Sequence, residues 1–196
     1  MSNKKEDKGK LFHKLHHLQK MVTRLLQRGK KDKMIEIQEK HLIEKIKGKN
    51  KKKGEGYGVA ITECFGSIVG EVVKVSRNGN KINIDKVWAV MDCGWYVNPD
   101  VIAQQVEGSI IMAIGAATVH AINFKDGMAV EKNFDVYKMP RISQTPQIEV
   151  HVMDNEERAG GVGEPSLPPL AAALTNAIFD LTGKRIRKLP FSLENV

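Results

Sequence analysis

"VWAVMDCGWYVNPDVIAQQVEGSI", residues 87–110, passes from strand to helix within one stretch. Its first residues close a Val/Ile-rich run, 81–91, that reads as a β-strand. Asn98 then stands where an N-cap is wanted, and Pro99 occupies the first helical position, where a missing N–H costs nothing. The spacing predicts a helix from about 99 to 117, with Gly108 and Gly115 on one face that would let another backbone approach.

Working outward, residues 57–64 and 67–76 are rich in Val and Ile, and the second run meets 81–91 across Arg77-Asn78-Gly79-Asn80, a hairpin signal because Asn-Gly accepts positive φ. Downstream, strands are expected over 118–124 and 128–138, joined at Lys125-Asp126-Gly127, and again over 147–153. A second helix is expected over 167–182, with Ser166 as a candidate N-cap, Pro168 and Pro169 in its first turn and Gly183 past its end. The expected fold class is α+β, a mixed sheet with packed helices.

The formal charge is +8, but it is unevenly placed. Residues 1–54 hold 18 Lys/Arg against 6 Asp/Glu, leaving 13 against 17 for residues 55–196, so the basicity belongs to the N-terminal segment. That segment carries Leu11, Phe12, Leu15, Leu18, Met21, Val22, Leu25 and Leu26 at helical spacing, and a weaker pattern runs from Met34 to Ile46. The expected organisation is a basic helical extension and linker over 1–54 and a second domain over 55–196. The extension could neutralise phosphates or lie on an anionic surface, or it could dock its apolar stripe while its lysines stay solvated. Phe12 is the one aromatic residue before Tyr57, which argues against base stacking. Neither nucleic acid nor a membrane is expected as a partner.

Two cysteines, Cys64 and Cys93, are too few for a disulfide framework or a four-cysteine metal site. With no signal-like or membrane-length apolar run, the expectation is a cytoplasmic protein. His13 and His17 stand four apart, with His16 adjacent, but lack acidic or cysteine partners at helical spacing and read as solvated; His41 and His120 are isolated. Trp88 and Trp95 flank Asp92-Cys93-Gly94 and either pack or line a pocket. Cys93 reads as an inert buried thiol.

The stretch "GGVGEPSLPP", residues 160–169, sets Glu164 between a glycine bend and a proline-rich helix entrance. A carboxylate there lies near free N–H groups and the positive end of the helix dipole. It either helps to satisfy the helix start or serves as a positioned base.

Four blocks, "GYGVAITECFGSIVGEV" (56–72), the opening stretch at 87–110, "GGVGEPSLPPLAAALTNAIF" (160–179) and "TGKRIRKLP" (182–190), together resemble the C-terminal part of the molybdopterin-binding large subunit of the xanthine oxidase family, and within it isoquinoline 1-oxidoreductase-type enzymes. The resemblance covers 56–190, with no clear counterpart for 1–50. It implies that Glu164 is the base beside molybdenum, that Gln105 contacts the pterin, and that Gly161 and Gly163 let the loop approach the cofactor. It further implies hydroxylation of N-heterocycles or oxidation of aldehydes with water as oxygen donor. The cofactor would be molybdenum-molybdopterin, shared with an upstream segment or partner, and iron-sulfur clusters would sit on a partner chain. Expected partners are the remaining part of the molybdenum subunit, an iron-sulfur subunit and a small-molecule substrate, the isolated chain being inactive. The alternative is a non-catalytic remnant or binding protein acting through the basic N-terminal hairpin.

Overall fold

The computed structural model describes residues 52–154 and 156–194. The expected basic hairpin, most of its linker and four of the histidines singled out above lie outside these residues.

Three long strands open the described chain: β1 (Glu55–Cys64), β2 (Ser67–Asn78) and β3 (Lys81–Asp92). They form an antiparallel meander, and β6 (Gln147–Val152) adds to β3 in parallel, giving the order β1-β2-β3-β6. A parallel neighbour cannot be reached by a tight turn. The chain crosses over through helix α1 (Pro99–Thr118) and an irregular excursion that contains β4 (Phe124–Lys125), β5 (Met128–Ala129) and a short 3-10 turn, Ile142–Gln144. Helix α2 (Leu167–Thr182) follows β6. The sheet is mixed and the class is α+β.

Both helices bury one stripe. On α1 it is Ile102, Val106, Ile110, Ala113, Ile114 and Ala117; on α2 it is Leu170, Ala173, Leu174, Ala177 and Ile178. These join Val69, Val73, Val87, Ala89 and Met91 of the sheet in one core. Each large side chain of this set contributes about 1.5–3 kcal/mol of burial free energy. By length and composition α1 is also apolar enough to cross a membrane, but its stripe is part of this core. Its start is capped as the sequence predicts, the Asn98 side-chain oxygen accepting from the N–H groups of Asp100 (2.9 Å) and Val101 (3.4 Å).

Helix α2 lies directly on bare backbone. A methyl group at Gly58 would collide with the Ala173 carbonyl and the Ala177 nitrogen, and one at Gly56 with the Ala177 carbonyl. This close seating fixes where α2 begins, and so where the residues just before it stand.

Three expectations are corrected. The β2–β3 turn is centred on Gly79 (φ 60°) and Asn80, because Asn78 still pairs with Lys81; the loop sits one residue later than Asn-Gly suggests. Gly108 faces open space, and only Gly115 meets a neighbour, the ring of His120. The strands expected over 118–124 and 128–138 shrink to two residues each around Asp126 (φ 51°) and Gly127 (φ 75°). Strand preference is largely the fit of a side chain to a pleated, half-buried surface. Here Ile122, Phe124, Met128 and Val130 have no such surface and are exposed.

Candidate functional site

Glu164 stands at one end of the sheet, where the β1–β2 turn, the end of β3 and the loop before α2 meet. The two-residue turn at Phe65 (φ 55°) and Gly66 (φ 75°) places both central residues in the left-handed region, as a tight hairpin requires. For Phe65 this costs about 1–2 kcal/mol relative to ordinary backbone, and its side chain recovers little of that by burial, being 66% exposed.

The loop is stitched to this end of the sheet through backbone. The Trp95 N–H donates to the Glu157 carbonyl (2.9 Å), the Gly160 N–H to Cys93 (2.8 Å) and the Gly161 N–H to Phe65 (2.8 Å). The hydroxyl of Ser67, fully buried, donates to the Gly161 carbonyl at 2.6 Å. Side chains are excluded where the backbones touch: a methyl at Gly94 would strike the Arg158 carbonyl, and one at Gly161 would lie 2.8 Å from Phe65 Cβ. At Gly163, by contrast, a methyl would meet nothing within 4 Å, and Glu164 is exposed beside it. Of the two candidate cofactor glycines, Gly161 is taken up by contact with the turn and Gly163 is open.

The environment of Glu164 differs from the expectation in one respect. Pro168 and Pro169 occupy the second and third helical positions, where an N–H would otherwise be free, and the Leu167 N–H donates to the carbonyl of Glu164 itself (2.9 Å). The helix therefore offers the Glu164 side chain little. The same prolines explain why Ser166 does not cap α2: a capping side chain accepts from those two N–H groups. Ser166 adopts helical backbone angles (φ −83°, ψ −3°), and its buried hydroxyl has no hydrogen-bond partner.

Gln105 lies on the exposed side of α1, with its amide directed away from the core stripe. The two tryptophans separate, Trp88 being buried in the sheet and Trp95 60% exposed at the Glu164 end. Cys93 is buried, and burial followed by the charge of Asp92 pushes its thiol up, in keeping with an inert group. The Cys64 thiol is also pushed up, first by burial and then by the charge of Glu164.

Two polar residues escaped the sequence reading. Ser67 looks like any serine beside a turn. Glu71 had a legible signal, an acidic residue alternating with Val69 and Val73 on the inward side of a Val-rich strand. It pairs with Ala60 and Ala89 and is fully buried, neither carboxyl oxygen has a hydrogen-bond partner, and burial holds its carboxyl well above the usual carboxylate range.

The exposed Glu164 carboxylate beside the open Gly163, and the exposed Gln105 amide on α1, are groups of the kind that bind a polar heterocycle. Residues 4–146 match the molybdopterin cofactor-binding domain family. The chain belongs to that family. The matched stretch begins inside the basic N-terminal segment, for which the sequence showed no clear counterpart, and ends before Glu164.

Among relatives, the chain is 32% identical over 139 residues to the isoquinoline 1-oxidoreductase subunit beta of Brevundimonas diminuta, covering 70% of this chain and 18% of that one. It is 30% identical over 132 residues to the aldehyde oxidoreductase molybdenum-binding subunit of Escherichia coli, covering 63% and 18%. The solved aldehyde oxidoreductase of Desulfovibrio gigas superposes with a TM-score of 0.57 at 26% identity, over 66% of this chain and 15% of that one. This chain thus spans less than a fifth of the length of each.

Proposed function

We propose that this chain is part of a molybdenum hydroxylase, an oxidoreductase acting on N-heterocycles or aldehydes, in which residues 55–196 supply one wall of the site and further polypeptide supplies the rest. Membership of the molybdopterin-binding family and the names of the relatives support the class. The single observation that carries the site is the exposure of Glu164 on a loop whose backbone is held to the sheet end. Residues 1–54 form a separate basic extension in this reading, and the protein works in the cytoplasm.

When bound, the cofactor supplies two-electron redox chemistry with water as the source of oxygen. Glu164 accepts the proton released as that oxygen becomes a nucleophile, a role that needs a carboxylate of fixed position and free access. The Gln105 amide offers a donor and an acceptor to the edge of a heterocycle. Gly163 leaves room for the cofactor to come near the backbone. Any iron-sulfur relay would sit on a partner chain, because two cysteines are too few to ligate one.

The test is Glu164→Gln in the assembled enzyme, purified gently with its companions. We expect turnover to be abolished while the molybdenum-to-protein ratio stays at the wild-type value. Retained turnover would remove Glu164 from the chemistry, and absence of molybdenum from the wild-type assembly would remove the class.

A further inference from the structure

We propose that Ser67 is a positioning residue for Glu164, its buried hydroxyl and the Phe65 carbonyl together gripping Gly161 and thereby setting where the carboxylate stands. The inference rests on the reading of Glu164 as proton acceptor, but its geometry stands independently of the reaction.

Gly161 has two backbone polar groups, and the β1–β2 turn takes both. Its N–H goes to Phe65 and its carbonyl receives the Ser67 hydroxyl, the shorter bond of the two at 2.6 Å against 2.8 Å. One bond alone would leave the residue free to pivot about it; two bonds from consecutive parts of one turn do not. The neighbouring Gly160 closes the grip, since a methyl there would run into the Ser67 hydroxyl and would lie 2.6 Å from the Gly66 carbonyl. On the far side, Pro165 and Ser166 are buried, and the Glu164 carbonyl accepts the Leu167 N–H. Glu164 is thus carried on a bridge between two fixed supports, with its side chain outward.

A left-handed aromatic residue makes the same point. Phe65 adopts φ 55° while its ring stays mostly in solvent, so its side chain gains little there. What that conformation delivers is a tight turn whose carbonyl at Phe65 and hydroxyl at Ser67 both reach one glycine.

Cys64 provides a readout that needs no cofactor. It adjoins the turn, and its thiol is raised first by burial and then by the charge of Glu164. Alkylation follows the thiolate fraction, so the pH profile of Cys64 modification by iodoacetamide reports how near the carboxylate stands. The full chain, with whatever accompanies it, is alkylated across pH and Cys64 is followed by peptide mass spectrometry.

Glu164→Gln should remove the smaller of these two causes, shifting the profile to lower pH and speeding modification at neutral pH while burial still holds the thiol up. Ser67→Ala should shift it in the same direction, and Ser67→Ala combined with Glu164→Gln should shift it no further than Glu164→Gln alone. Circular dichroism establishes that each variant is folded. Should Ser67→Ala fail to fold, Ser67→Gly removes the same hydroxyl without adding a contact and is expected to give the same shift.

A folded Ser67→Ala protein with the wild-type profile would overturn the proposal, making the hydroxyl a satisfied core group and nothing more. So would an unchanged profile in Glu164→Gln, because the carboxylate would then not stand where the grip puts it. Retained turnover in Glu164→Gln sinks the catalytic reading alone and leaves the thiol measurement intact.

Discussion

The loop before α2 and the excursion after α1 are both irregular connections, yet they are ordered by opposite means. The first contains few large apolar residues and is held to the sheet end by backbone bonds with Trp95, Cys93 and Phe65 and by the Ser67 hydroxyl. The second carries Ile122, Phe124, Met128, Val130, Phe134, Val136, Met139 and Ile142, all exposed. Its hydrogen bonds are largely local, Asn123 to Glu131 at 2.7 and 2.8 Å and Arg141 to Gln144 at 2.8 Å. Apolar content is therefore a poor guide to which loop is fixed. Glycines that admit a second backbone do more for the Glu164 loop than eight large side chains do for the excursion.

The sharpest way to break this comparison is to fill a backbone contact. Gly58→Ala pushes a methyl into the Ala173 carbonyl and should destabilise the fold by about 3 kcal/mol or more, since the neighbour is main chain and cannot swing aside. Urea unfolding measures it, and a loss under about 1 kcal/mol would mean that α2 is not seated on bare strand.

Glu71→Leu probes the buried centre of the sheet. An unpartnered buried polar group costs roughly 1–3 kcal/mol, so the variant should be more stable than the wild type by an amount of that order. The sign with pH follows from the raised carboxyl. Its folded form holds the proton more tightly than the unfolded one, whose ordinary value is 4.5, so the penalty for ionising it inside the fold is absent below that pH and grows as pH rises above it. The advantage of Glu71→Leu should accordingly widen from acid to neutral pH, and equal gaps at the two would refute the assignment. The smallest effect belongs to the excursion. Phe134→Ser, at a side chain 77% exposed, should change unfolding free energy by no more than about 0.5 kcal/mol.

The three long strands and both helices were legible because each carries its own punctuation: Asn98 and Pro99 at one helix start, Gly183 (φ 77°) at the other's end, and alternating or continuous Val and Ile between. The family was legible from the blocks around Gln105 and Glu164. What failed depended on distant partners or, at Ser166, on two neighbouring prolines already visible in the sequence. Strands past 118 needed a surface to lie on, and Ser166 needed N–H groups that two prolines had removed. Ser67 could not be read at all, because its bond spans 94 residues of chain.

The Pro168–Pro169 pair also bears on which ions gather at α2. Helix entrances commonly attract anions, since their unpaired N–H groups and dipole favour negative charge. With those two donors deleted, the mouth of α2 is poorly equipped to capture a stray phosphate or chloride, or to draw the neighbouring carboxylate inward. Glu164 is left facing outward, and the prolines draw no anion into the space that its side chain needs.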